Sequence, residues 1–459
     1  MTPLWTSADL AAATGAPLPG FDATGVSIDS RTLAPGDLFV ALIGENGDGH
    51  AHVGAALARG AAGAMVHRDA SRDRLLRVAD TLGGLQALGR FARARATAAR
   101  VIAVTGSVGK TTTKEMLRTM LGALAPTHAA AASYNNQWGV PLTLARMPRE
   151  ASFAIIEIGM NHAGEIAPLS RLAAPHVAVI TAIERAHIGH LGSIEAIADE
   201  KAAVVTGLLP GGTVVLPADS PLLGRLRARA GTARVVLFGT DAAADVRLLE
   251  CTADADGSAI AARIGGEDVR IRLGAPGTHM AMNAMAALAC VHALGLDVRR
   301  AATALAGFAP MRGRGARQRL AIAGGEILLL DESYNASAAS VRAALQVLAL
   351  QPAARRVAVL GDMLELGDEA EREHSAIASS VVSAADMVFT CGPLMRGLHD
   401  SLPDRIRGVH ADDSATLAPI VVAALRPGDA VLVKGSLGSR MIRVVQALTA
   451  PPNAVEQVR

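Results

Sequence analysis

The chain has 459 residues, enough for roughly three domains, with 51% hydrophobic and 2% aromatic residues, so its cores must be aliphatic. A net charge of +2, with no dense Lys/Arg run carrying interleaved aromatics, argues against nucleic acid as a partner. Cys251, Cys290 and Cys391 lie far apart without metal spacing, the N-terminal MTPLWTSADLAAATG lacks the order of a signal peptide, and no apolar stretch is long enough to span a bilayer, so a cytoplasmic protein without membrane insertion or disulfides is expected.

In chain order, SIDSRTLAPGDLFVALIGENGDGHAHV (27–53) holds two short strand patterns around the turn signal APGD. An alanine-rich helical pattern (54–59) and the strand AGAMV (62–66) follow, and the arginines of RDASRDRLLR (68–77) read as a solvated helical face. This small α/β unit ends near residue 95. Strand patterns then recur at VIAVT from Val101, FAIIEIGM (153–160), HVAVIT (176–181) and GTVVL (212–216), with helical stretches between the first three. Strands alternating with helices predict a parallel sheet covered on both faces. Residues 233–273, with RVVLFG, DVRLLE and DVRIRLG, suggest an antiparallel patch, and MAMNAMAALACVHALG (280–295) a long helix. PMRGRGARQ (310–318) reads as a linker. Beyond it, ILLLDESYN (327–335), a helix to Leu350, RVAVLGDM (356–363), a charged helix from Glu369, MVFTCG (387–392) and AVLVKGS (430–436) form a second doubly wound unit.

VIAVTGSVGKTTTKEML (101–117) runs from a β-branched strand through a glycine loop into a helix whose Met116, Leu117, Met120 and Leu121 share one face. Backbone N–H groups of such a loop, and the positive end of the helix, can hold a phosphate. Lys110 can reach the outer phosphates, and the Thr111 hydroxyl can ligate Mg2+. The spacing departs from a full Walker pattern, because Val104 stands at the position of its first glycine. Glu157 ends one predicted strand and His187 follows another, and ligands gather at the carboxyl ends of strands in open α/β sheets. A carboxylate and an imidazole beside phosphates suit Mg2+ or Mn2+.

TGSVGKTTTKEM, SYNNQWGVPLTL (133–144), EIGMNHAGEI (157–166), ERAHIGHLGS (184–193), DESYNAS (331–337), GDMLELGDEAEREH (361–374) and VLVKGS (431–436) occur in this order. Together they resemble the Mur ligases of peptidoglycan synthesis, over nearly the whole chain. DESYNAS with GDMLELG is similar to the branch that adds D-Ala-D-Ala to UDP-N-acetylmuramoyl-tripeptide. The resemblance implies an α/β protein of three domains: a UDP-substrate-binding domain (1–95), a central P-loop parallel-sheet ATPase (96–312), and a Rossmann-like domain (313–459) closing over ATP and the dipeptide. It implies an ATP-dependent amide ligase that works through an acyl phosphate, with ATP and two Mg2+ ions, acting as a monomer on small molecules.

The resemblance also implies site residues. Thr105, Gly106, Ser107, Val108, Gly109, Lys110, Thr111 and Thr112 would hold the ATP phosphates, Asn283 and Arg314 the adenine. Asp331 and Lys434 would face ATP, and Tyr334 and Asn335 the incoming amine. Thr111, Glu157 and His187 would bind metal, joined by Lys201 if it is carbamylated, since a carbamate is a carboxylate-like ligand. Asn135 and Asn136 would face the reaction centre. Ser30 and Arg31 are similar to the uridine motif, and Asp48 and His50 to a loop near the substrate. This chain departs from the family pattern at Met280, Ala203 and Ser337-Ala338. Two rivals stay open: another amide ligase of the superfamily, such as the enzyme adding the third residue or a folylpolyglutamate synthase, and a non-enzymatic nucleotide switch.

Overall fold

The computed structural model describes residues 2–44, 47–68, 73–185 and 188–450. Its first sheet is parallel, β1 (Gly25–Ser27), β2 (Asp37–Val40), β5 (Gly63–Val66) and β6 (Leu75–Arg77), in spatial order β1-β2-β5-β6. A two-stranded ribbon, β3 (Ile43–Gly44) and β4 (Gly47–Asp48), stands apart from it. The strands on either side of APGD therefore pair in parallel, and the turn closes a crossover, not a hairpin. The helical face expected over 68–77 is corrected by β6, which pairs Leu75 with Ala64; residues 69–72 lie outside the described residues.

The second sheet has nine strands: β7 (Arg100–Thr105), β8 (Thr127–Ala129), β9 (Phe153–Glu157), β10 (Val177–Ile180), β11 (Thr213–Pro217), β12 (Arg234–Gly239), β13 (Val246–Ala253), β14 (Ser258–Ile264) and β15 (Glu267–Leu273). Their order is β15-β14-β13-β12-β11-β10-β7-β9-β8, parallel from β8 through to β13 and antiparallel over β13-β14-β15. RVVLFG thus belongs to the parallel part, a correction to the antiparallel patch expected from residue 233 onward. Turn-rich spacing could not tell which neighbour this strand takes. The antiparallel patch is made by β13 to β15 alone, with β14 as its middle strand.

Two aliphatic cores cover this sheet. One face packs on the helices Lys110–Gly122 and Thr278–Ala293, through Met116, Leu117, Met285 and Leu288. The other packs on Gly139–Ala145, Ile166–Ala173, Ile194–Ala202 and Leu223–Ala230, through Leu144, Leu169, Ile197 and Leu226. Helix Gly139–Ala145 is shared. Its Val140 and Leu144 enter this core, while Leu142 and Ala145 enter the core of the first sheet beside Trp5 and Leu88. Three polar contacts fix the same junction. Trp5 Nε1 donates to the Ala145 carbonyl at 2.9 Å, Arg146 Nε to the Val26 carbonyl at 2.6 Å, and Arg149 pairs with Asp9 at 2.5 Å.

The third sheet contains β16 (Ala316–Ile322), β17 (Gly325–Glu332), β18 (Arg355–Gly361), β19 (Met387–Cys391), β20 (Arg407–Ala411) and β21 (Asp429–Lys434), in order β16-β17-β21-β18-β19-β20. Only β16 is antiparallel to its neighbour. The expected linker is shorter than its sequence pattern, because Ala316 already pairs with Asp331. β21 returns between β17 and β18, so the topological switch lies where Glu332 stands beside Lys434. Among the described residues no helix is long and apolar enough to cross a membrane, and the three cysteines are free.

Candidate active site

A cleft of about 1850 Å³ opens where residues of all three sheets meet. From the first unit, Ser30, Arg31 and Asp48 line it; from the second, Ser107, Val108, Gly109, Lys110 and Thr112; from the third, Tyr334, Asn335 and Lys434. Asn135, Asn136, Asn283 and Arg314 line it as well. Thr105, Thr111, Glu157, Lys201 and Asp331 are buried at or behind its wall. His187 lies outside the described residues.

The phosphate loop leaves β7 at its carboxyl end. Gly106, at φ +142°, passes so close to Thr181 that a Cβ would stand 2.0 Å from its hydroxyl. Gly109 is left-handed at φ +83°, and a Cβ there would meet the Asn283 side-chain oxygen at 2.2 Å. Glycine is therefore required twice, once for approach and once for conformation as well. Thr181 Oγ1 holds the loop by donating toward the carbonyls of Thr105 (3.2 Å) and Val108 (2.5 Å). Lys110 folds back over the loop, donating to the carbonyls of Gly106 (2.7 Å) and Ser107 (3.2 Å). Burial lowers its pKa to about 8, with Glu157 opposing that shift and Arg314 adding to it.

Glu157 ends β9 and is 1% exposed. Its Oε1 accepts from Thr111 Oγ1 at 3.1 Å and from Asn135 Nδ2 at 2.8 Å, whereas its Oε2 has no hydrogen-bond partner among the described residues. A buried carboxylate oxygen without a partner carries a large desolvation cost. Asn136 turns its side-chain oxygen away, accepting from the N–H groups of Trp138 (3.2 Å) and Gly139 (2.9 Å) at the start of the shared helix. Lys201 is fully buried and its Nζ has no partner among the described residues. Burial and then the charge of Lys110 hold its pKa well below the usual lysine range, with Glu200 and Glu165 opposing. Among the described residues, no three His, Cys, Asp or Glu side chains gather as a cation site. The unpartnered Glu157 oxygen beside the Thr111 hydroxyl nevertheless fits a divalent cation, whose expected donors include a hydroxyl and a lysine-derived group.

Arg314 reaches in from the linker. Its guanidinium stacks 4.1 Å from the centre of the Tyr334 ring, and its Nη2 donates to Ser133 Oγ at 3.2 Å. Asp331 is 2% exposed and faces the linker, with Oδ2 accepting from Gly313 N (2.8 Å) and Oδ1 from Ser333 N (3.1 Å) and Oγ (2.6 Å). Replacing Asp331 with alanine would orphan three donors beside the linker. The expected loss is about 3 kcal/mol, at 1 or more per unsatisfied buried group, read as a lowered urea midpoint. An unchanged midpoint would show that the linker is held by its backbone alone. Lys434 Nζ lies 3.3 Å from Glu332 Oε2 and donates to the Asn335 carbonyl at 3.0 Å.

At the other end of the cleft, Arg31 is 84% exposed and bridges to Asp29 at 2.8 Å. Asp48 accepts from Arg68 at 2.7 Å and from the His50 backbone N–H at 2.9 Å. Both His50 nitrogens are engaged, Nδ1 with Asp48 at 2.6 Å and Nε2 accepting from the His67 N–H at 3.2 Å. His50 thereby shapes its loop.

Sequence reasoning missed Lys114, Ser133 and Thr181. Lys114 is 0% exposed and donates to the carbonyls of Ala130 (2.6 Å) and Ala132 (3.2 Å), bracing the segment that leads to Ser133 and Asn135. Its signal was available, because it lies three residues before Leu117 and seven before Leu121, on the buried stripe of its helix.

Comparison with known proteins gives three family-model matches: residues 22–95 to "Mur ligase family, catalytic domain", 104–291 to "Mur ligase middle domain", and 318–437 to "Mur ligase, glutamate ligase domain". The UDP-N-acetylmuramoyl-tripeptide–D-alanyl-D-alanine ligase of Bacillus subtilis is 34% identical over 438 residues, covering 93% of each chain. A crystal structure of MurF from Acinetobacter baumannii superposes with a TM-score of 0.85 at 31% identity, covering 98% of this chain and 100% of that one. The Thermotoga maritima MurF ligase in complex with ADP gives 0.76 at 25% identity, covering 93% and 97%.

Proposed function

The chain belongs to the Mur ligase family, and from that premise we infer that it joins D-Ala-D-Ala to the terminal carboxylate of UDP-N-acetylmuramoyl-tripeptide. The observation that carries this reading is the single cleft reaching all three sheets, with the phosphate loop at its centre. A carboxylate is a poor electrophile. Transfer of the γ-phosphoryl group of ATP to a carboxylate oxygen gives an acyl phosphate and ADP. The dipeptide amine then attacks the carbonyl carbon, the C–O bond to phosphate breaks, and phosphate and the amine proton leave.

The protein's share is positioning and charge compensation. The N–H groups of residues 106–111 and the Lys110 ammonium would receive the phosphates, the ammonium leaving its two loop carbonyls to do so. Asn283 and Arg314 would hold the adenosine end, and Asn135, fixed on Glu157, would face the reacting carboxylate. Thr111, Glu157 and, by its place in the sequence, His187 would hold Mg2+, with Lys201 as a carbamate holding a second. When bound, the ions would offset the charge of the phosphate oxygens. Ser30 and Arg31 would hold the uridine end, with Asp48 beside the substrate. We also place the domain boundaries at 95/96 and 312/313, and the protein in the cytoplasm as a monomer, supplying the precursor on which cell-wall growth, cell shape and division depend.

The test is phosphate release from ATP with Mg2+ and UDP-N-acetylmuramoyl-tripeptide, with and without D-Ala-D-Ala. Release that requires both substrates, with a product heavier by one dipeptide unit, is expected. Release indifferent to the dipeptide would return the protein to the rival ligases or to a nucleotide switch.

Because the ATP-facing groups sit on two sheets joined near Arg312–Gln318, the third unit is expected to close over bound ATP and UDP-substrate. Small-angle scattering should show a smaller radius of gyration with both ligands than with neither. No compaction would sink the closure.

A further inference from the structure

The third unit exposes leucine to the cleft. Leu437 is 63% exposed and Leu364 is 38% exposed, and both line the cleft. Single exposed apolar residues are ordinary on a protein surface, but these two stand together inside a cleft that the phosphate loop also lines. Leu364 lies against the 437–439 turn, where a Cβ on Gly438 would come within 2.6 Å of its Cδ1. From the same unit, the small side chains of Ala336, Ala339 and Ala343 also line the cleft.

The loops that carry them are fastened by one side chain. Ser436 Oγ accepts from the Leu364 N–H at 2.9 Å and lies 3.4 Å from the Ala336 carbonyl, while the Ser436 N–H donates to the Asp362 carbonyl at 3.0 Å. The loops after β17, β18 and β21 are thus held as one surface at the carboxyl end of the sheet. On the same lining, Glu332 and Lys434 stand 3.3 Å apart. An apolar shelf next to an opposed pair of charges complements a small zwitterion with short apolar side chains.

We propose that Leu364 and Leu437 form the wall that receives the methyl side chains of the incoming dipeptide and so sets the size of D-residue accepted. The proposal rests on the ligase reading above. Large exposure before binding is what this role requires, since the favourable area is buried only when the dipeptide arrives. In this role a methyl fits against the leucines and a branched side chain collides with them.

The test compares wild type with Leu364→Ala, Leu437→Ala and Leu437→Met, using D-Ala-D-Ala and D-Ala-D-Leu as acceptors. Both alanine variants should raise KM for D-Ala-D-Ala about tenfold and shift the kcat/KM ratio toward D-Ala-D-Leu by a similar factor, the scale of one or two methylene contacts. KM for ATP and the melting temperature should stay as in wild type, and Leu437→Met should restore the preference. Those two controls matter because a merely structural residue would move them. If wild type shows dipeptide-dependent phosphate release but both alanine variants keep its KM and its selectivity, the wall is overturned and the ligase reading stands. If wild type itself shows no dependence on the dipeptide, the ligase reading fails and the wall with it.

Discussion

Glu157→Gln should lower kcat about a thousandfold, the scale of removing one preorganised charge contact from a reacting phosphoryl group, and leave the fold at least as stable as before. The two expectations come from the two oxygens of the side chain. Oε1 accepts from Thr111 and Asn135, and a glutamine carbonyl can keep both bonds. Oε2 is buried with no partner among the described residues, so an amide there removes a charge whose desolvation penalty exceeds its attraction to Lys110. Glutamine is also a far weaker cation ligand than a carboxylate. Phosphate release and a thermal melt on the same preparation separate the effects. Retained activity would take Glu157 out of the chemistry. A collapsed melt would mean that the attraction between Glu157 and Lys110 holds the free protein together.

Lys201→Met should produce the same pairing of lost activity with retained stability, for a different reason. Lys201 sits on the Ile194–Ala202 helix, fully buried, with no partner for its Nζ among the described residues. Burial and the nearby Lys110 disfavour its charged form, and a neutral amine can add to carbon dioxide to give a carbamate. Methionine has nearly the same length and no charge to bury. The variant should gain about 1–3 kcal/mol in metal-free buffer and lose about a hundredfold or more in kcat. Partial rescue by a short carboxylic acid such as acetate would identify the missing group as a carboxylate. If Lys201→Met retains wild-type activity, the lysine is packing only.

The strand–loop–helix around Lys110 was legible because three signals coincide there: a β-branched run, glycines at the turn, and a helical apolar stripe. The alternation of β9, β10 and β11 was legible for the same reason. Leu75–Arg77, Thr127–Ala129 and Arg407–Ala411 were not, because they are edge strands that stay partly exposed and so lack the continuous apolar run of the central strands. Arg234–Gly239 was seen as a strand and given the wrong partners, since pairing is decided by tertiary neighbours. The site divides similarly. Glycine at 106 and 109 follows from the motif, but the reason Gly109 must be glycine is Asn283, far along the chain. Nothing local predicts that Lys201 is buried, because a helix lysine among Asp and Glu reads as solvated; only the family resemblance reversed that reading. Asn136 and His50 were named from the resemblance, which gives positions and not hydrogen-bond partners.

One helix has a bearing on how the polypeptide can be divided. Gly139–Ala145 contributes Leu142 and Ala145 to the core of the first sheet, although it lies more than forty residues past the proposed boundary at 95/96. A fragment ending at residue 95 would lack the surface that closes around Trp5 and would expose aliphatic side chains where the helix had been. Such a fragment is expected to aggregate when expressed alone, and one extended through Arg149 would carry the helix but leave Val101–Val104, Met116 and Leu117 without their partners in the second sheet. The unit that sequence comparison marks off therefore does not hold its whole core. Grafting the first unit onto another ligase would require carrying this helix with it, and with the helix goes the Ser133–Asn136 segment, which we propose faces the reacting carboxylate.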